Sequence, residues 1–155
     1  FAGKSASADA AATVFEVIAI ERDLGMQFGK FAPGTGGTLI LSTADNLVGT
    51  GLFLSTDTSP HAATFDVTGT PDASFGVTIT SSPLTHTDGT ASMAFATHSV
   101  DNGLDSSLGQ VTDSTLDNIA GNGEKTITVG GALTVDSDQL AGSYTGSVTV
   151  DVEYN

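Results

Sequence analysis

The amino-acid sequence predicts an all-β protein, and three observations carry that reading. Short runs rich in Val, Ile, Thr and Phe recur along the chain, as pleated strands prefer. Asn, Asp, Gly and Pro punctuate these runs at intervals that suit tight turns. The final stretch puts Tyr144, Val148, Val150, Val152 and Tyr154 on one parity and Thr145, Ser147, Thr149, Asp151 and Glu153 on the other. Successive strand side chains point to opposite faces, so that pattern makes one apolar and one wet face. Several short strands at this spacing argue for a sandwich or a barrel.

Taken in order, residues 1–12 are small and mostly polar or Ala, with Phe1 the one large side chain. TVFEVIAIE, residues 13–21, reads as a strand, and LGMQFGKF, residues 24–31, as a second. Residues 32–37, APGTGG, form a turn. Further strands are expected at 38–43, 47–55, 63–69, 74–81 and 91–100. Residues 101–123 are the least regular part, with a long loop expected and one short strand around Thr115–Ile119. Residues 123–135 resume the pattern, and 136–142 turn into the last strand. The organisation expected is an N-terminal extension, 1–12, followed by one domain, 13–155.

Composition narrows the function classes. The chain has 155 residues, enough for one core, and hydrophobic residues make up 39% of it, too many for a disordered chain. With no Trp, the core must be built from aliphatics and eight Phe. The net charge of −14, with Lys4, Arg22, Lys30 and Lys125 the only basic side chains, repels phosphate backbones and anionic membranes. Nucleic acid is therefore not an expected partner, and no apolar run is long enough to span a bilayer. The absence of Cys excludes disulfides and thiolate metal sites. The start Phe1-Ala2-Gly3, without Met, is the kind left by signal-peptide removal, which points to export and an extracellular location.

Catalytic signals are scarce, so no enzyme and no cofactor is expected. His61, His86 and His98 lie in polar or strand-edge contexts without paired ligand spacing, and no G-x-S-x-G elbow occurs. The Gly-rich stretches at 34–37 and 121–126 miss phosphate-loop spacing and read as turns. Asp101 and Asp105, with Asp113 and Asp117 further along, offer oxygen ligands for a weak calcium site, but Asp-Asn-Gly is common turn chemistry and the turn is the better account.

Three stretches together carry a resemblance: FGKFAPGTGGTLILST at 28–43, ATFDVTGTPDASFGVTIT at 63–80, and GGALTVDSDQLAGSYTGSVTVDVEYN at 130–155. Read in order, they resemble a family of uncharacterised secreted bacterial domains related to spore coat protein U and to archaic chaperone–usher pilins. The ending from Ala141 to Tyr154 is its most specific part. The resemblance implies an immunoglobulin-like β-sandwich that lacks one strand, completed by a donor strand from a neighbouring subunit. It implies a pilin-like structural subunit of a bacterial surface filament, with identical subunits as partners and a periplasmic chaperone and outer-membrane usher serving assembly. Two departures stand out: there is no disulfide, and the N-terminal segment lacks a row of large apolar residues.

The donor expected on this resemblance is residues 1–12. Extended, it places Ala2, Lys4, Ala6, Ala8, Ala10 and Ala12 on one face, with Phe1 at the tip to anchor in a pocket. The acceptor groove is expected beside Tyr144, Val148, Val150, Val152 and Tyr154. The competing expectation is a monomeric secreted adhesive or carbohydrate-binding module, which needs exposed aromatics that a chain without Trp supplies poorly.

Overall fold

A computed structural model describes residues 2–101 and 109–155, and among these the chain is all-β. The strands are β1 (Ala19–Leu24), β2 (Phe31–Ala32), β3 (Gly37–Leu41), β4 (Leu47–Thr50), β5 (Phe53–Leu54), β6 (Ala63–Gly69) and β7 (Ser74–Ser81). They continue as β8 (Leu84–His86), β9 (Ser92–Asp101), β10 (Asp113–Thr115), β11 (Asp117–Ile119), β12 (Asn122–Val135), β13 (Tyr144–Thr145) and β14 (Val148–Tyr154). The large sheet runs β1-β6-β12-β9-β8-β13, with β3 and β11 also on β12 and β4 on β3. A second sheet runs β10-β7-β14, and β2 pairs β5 in a small ribbon. Among the described residues every strand pairing is antiparallel, for example Val67 opposite Lys125 and Val150 opposite Ile79.

Strand β12 is the axis of the molecule. Its first half pairs β6 from Gly123 to Val129 and its second half pairs β3 from Gly131 to Val135. Strand β9 runs along the other side from Ile127 to Thr134. The change of partner falls at Gly130–Gly131. A Cβ on Gly131 would stand 2.3 Å from the Phe95 ring, so only glycine admits that ring against the bend.

Alternation on each strand builds two cores. The lower one joins Val67 of β6, Phe75 and Val77 of β7, Ile127 and Val129 of β12, and Val150 of β14. Both sheets contribute to it, and their outward residues, such as Thr78 and Asp151, are exposed. The upper one joins Phe28, Leu39, Leu41, Met93, Leu133 and Val135, drawn from the large sheet and the chain before β2.

The expected strands at 63–69 and 74–81 are found with those bounds, and those at 38–43, 91–100 and 123–135 within two residues. Others differ for physical reasons. Ladder pairing begins at Ala19, not at Thr13, and residues 2–17 lie exposed. The run 24–31 is not one strand: Leu24 ends β1, Phe31 begins β2, and between them Gln27 makes an isolated bridge to His61, with Gly29 at a positive φ packed against Thr58. The run 47–55 splits at Gly51, whose carbonyl accepts the Thr35 N–H. The short strand expected near 115–119 is two, parted by fully buried Leu116, whose N–H and C=O bond to Ala73 and Asp72. The last strand breaks between β13 and β14, level with Ser82–Pro83, where its partner also breaks. Proline has no N–H to continue a ladder.

Candidate functional site

The site begins with the backbone of β14. Two ladder bonds bracket this strand: Ser82 N–H to Ser147 O at 3.0 Å, and Asn155 N–H to Ser74 O at 3.2 Å. Antiparallel pairs alternate between bonded and non-bonded, so these bonds fix the phase. Ser147, Thr149, Asp151, Glu153 and Asn155 exchange bonds with β7. The N–H and C=O groups of Val148, Val150, Val152 and Tyr154 are therefore directed to the opposite edge. Among the described residues no strand pairs with that edge. The same four residues carry the inward side chains: Val150 is buried, and Val148, Val152 and Tyr154 are half-buried.

Beyond the start of β14 this edge opens into a groove of about 890 Å³. One wall is the chain from Arg22 to Pro33, and the other is the chain from Gln139 to Val148. The floor is apolar and includes Phe65, Leu84, Met93, Phe95, Leu133 and Val135. Most of these side chains belong to the upper core; Met93, Leu133 and Val135 are buried, and Phe65, Leu84 and Phe95 are half-buried where the groove reaches them. The second sheet stops short of it, because β13 leaves β7 and pairs β8 instead.

The C-terminal wall is stiffened by side chains that bond to its own backbone. The Tyr144 hydroxyl donates to the Leu140 carbonyl at 2.7 Å and accepts from Gln139 Nε2 at 2.9 Å. Gln139 also donates to the Ser92 carbonyl. His86 sits edge-on to the Tyr144 ring, with Nε2 2.9 Å from the Ala141 carbonyl and Nδ1 2.8 Å from Asp88. The Thr90 backbone N–H, then its hydroxyl, and then His86 hold the Asp88 carboxyl below its usual range.

At the far end the N-terminal segment is clasped. The Tyr154 hydroxyl donates to the Glu16 carbonyl and accepts the Thr70 N–H, both at 2.8 Å. Glu16 N–H donates to the Thr70 hydroxyl at 2.7 Å, and the Phe15 ring stands edge-on to Tyr154 at 5.0 Å. Gly69 leaves room for this hydroxyl, since a Cβ there would lie 2.3 Å from it. Ahead of the clasp, residues 2–14 are exposed, and among the described residues no hydrogen bond ties them to the domain.

Each expected residue can now be located. Of the expected acceptor residues Tyr144 and Val148 line the groove, while Val150, Val152 and Tyr154 continue the inward face of β14 beyond it. Ala2, Lys4, Ala6, Ala8, Ala10 and Ala12 lie on the exposed segment, and Phe1 falls outside the described residues. Asp105 and the Asp101 side chain also fall outside them, while Asp117 holds the Lys125 ammonium at 3.1 Å. Among the described residues no group of three or more His, Asp or Glu gathers to hold a metal. Among the described residues no helix is long and apolar enough to cross a membrane. Both tyrosine hydroxyls are engaged internally, Tyr144 with Leu140 and Tyr154 with Glu16. Sequence reasoning did not single out Met26, Phe31, Leu84 or Phe95 for the groove. Met26, Phe31 and Phe95 fall in runs that read as strands and Leu84 does not, and nothing in the pattern tells which side chains border a groove.

No curated protein and no solved structure matches the chain. A family model described as "Domain of unknown function (DUF4402)" matches residues 18–154, beginning where the chain first becomes half-buried after the exposed segment. The chain therefore belongs to that family of domains of unknown function.

Proposed function

We propose that this chain is a structural, pilin-like subunit of an extracellular filament, in which the N-terminal segment of one copy fills the groove of the next. The observation that carries the reading is the free edge of β14, continuous with an open apolar groove, in a chain whose own N-terminal segment lies exposed. An unpaired edge is a template for an added strand, with main-chain bonds giving strength and alternate side chains giving fit.

Topology supports an immunoglobulin-like sandwich. The order β1-β6-β12-β9 follows the A-B-E-D sheet of that fold, and β7-β14 follows its C-F pair. The seventh strand of the fold belongs beside the strand that β14 represents, on the edge left free. The Tyr144 hydroxyl bonded four residues upstream resembles the tyrosine corner at the start of strand F. A donor lying antiparallel to β14 would restore the fold, and its small Ala side chains suit a groove already floored by large ones. A periplasmic chaperone lending a strand to the same edge before assembly belongs to this reading.

Magnitudes say what must hold the donor in place. Hydrogen bonds contribute about 0.5–1.5 kcal/mol each. Ordering the donor backbone opposes them at about 1–2 kcal/mol per residue. The two terms roughly cancel, so the net gain comes from covering the apolar floor. A charge in the donor face is therefore disruptive. The wild-type chain is expected to give multimer ladders on gels run without boiling and filaments in negative stain. Ala8→Asp, exposed and without contacts in the single copy, is expected to abolish both while leaving the circular dichroism unchanged. A ladder undiminished in Ala8→Asp refutes the donor assignment.

A further inference from the structure

The exposed large apolar side chains are not scattered evenly. Apart from Leu24, level with the middle of β12, and Val48 on β4, they stand near the two ends of the β12 axis. At its start, beside Gly69 and the Tyr154 clasp, stand Val14, Val17 and Ile119, which are 91%, 87% and 51% exposed. Towards its other end, Phe53 is 73% exposed and Leu54 37%. These two pair with β2, which lines the groove, and Leu140 on the facing wall is also exposed. A closed two-fold contact would use one of these patches against itself and leave the other in water. Two unlike patches at opposite ends suit a head-to-tail contact.

The length of the N-terminal segment ties the patches together. Residues 2–12 extended span roughly 36 Å at about 3.3 Å per residue. Only Thr13 and Val14 separate that stretch from Phe15 and Glu16, which Tyr154 pins to their own domain. A donor seated antiparallel to β14 has its base at the groove mouth, so its parent domain must abut that mouth with almost no slack. The mouth also carries Lys30, whose side chain is 73% exposed and whose ammonium stands 3.9 Å from the exposed carboxylate of Asp57. The approaching end carries exposed Glu16 and Glu124.

We propose that the Val14–Val17 end of one copy packs on the Phe53–Leu54 end of the next, making a stiff joint. This inference rests on the donor reading above and deepens it. It predicts a rod with fixed subunit spacing instead of beads on a flexible linker.

The test uses the full chain with Val14→Ser/Val17→Ser and, separately, Phe53→Ser/Leu54→Ser. Both variants are expected to keep the unboiled ladder, because donor and groove are intact. Filament persistence length in electron micrographs is expected to fall severalfold in each. Pairing Val17→Lys with Phe53→Glu is expected to recover much of the stiffness that each charge alone removes. Persistence lengths equal to wild type in both serine variants, with the ladder present, overturn the joint and leave the donor reading standing. A wild-type chain that forms no ladder overturns both.

Discussion

Replacing Tyr154 by Phe isolates the clasp that ties the N-terminal segment to the domain. The substitution keeps the ring against Phe15 and removes only the hydroxyl. Two hydrogen bonds are lost, to Glu16 O and from Thr70 N–H, each 2.8 Å. At about 0.5–1.5 kcal/mol each, the pair is worth about 1–3 kcal/mol. Glu16 is exposed, so its carbonyl regains water, whereas the Thr70 N–H is half-buried and recovers less. The expected destabilisation is then about 1–2 kcal/mol. With a urea slope of about 2 kcal/mol/M, the midpoint should fall by roughly 0.5–1 M. The assay is urea unfolding of the size-excluded monomer, followed by far-ultraviolet circular dichroism because no Trp is present. Amide exchange at Thr70 should accelerate in the same variant. An unchanged midpoint together with unchanged Thr70 protection would refute the clasp.

Two further outcomes follow from the same geometry. Gly131→Ala places a Cβ against the Phe95 ring at the bend of β12 and should destabilise by about 1–3 kcal/mol in thermal or urea unfolding. Adding Phe95→Leu should recover part of the loss, and no recovery would locate the strain elsewhere. Thr90→Val removes the hydroxyl that helps depress the Asp88 carboxyl, so that group should titrate at higher pH by carbon-detected NMR. A depressed carboxyl adds stability that is present above its unfolded value and lost as pH falls through its folded value. The variant should therefore shed a little of the acid sensitivity of the β8–β9 turn.

Much of this fold is legible in the sequence because strand alternation is a local signal. ATFDVTG and SFGVTITS announce β6 and β7 by their own pattern, and the structure places them at those bounds. Pairing is non-local, and there the sequence is silent. TVFEV has ideal strand composition, yet residues 13–17 stay outside any ladder, since no partner strand reaches them. LTH at β8 looks too short and polar to be a strand, and it forms one because β9 and β13 flank it. The groove has the same character. Val148, Val150 and Val152 can be read as one face, but the free edge behind them is set by the phase of the bonds to β7. The Tyr154 clasp also joins residues far apart in the chain, with no motif to announce it.

The most direct measurement of the central claim is a disulfide trap, which the chain permits because it has no native cysteine. Val148→Cys at the groove edge is combined in turn with Ala6→Cys, Ala8→Cys or Ala10→Cys on the N-terminal segment. At least one pair, after mild oxidation, is expected to give a covalent ladder of multimers under denaturing, non-reducing conditions. Mixing isotope-labelled and unlabelled chains should then show the linked peptides to be from different copies. Links found only within single copies, or chains that stay monomeric at all three positions, would contradict the claim.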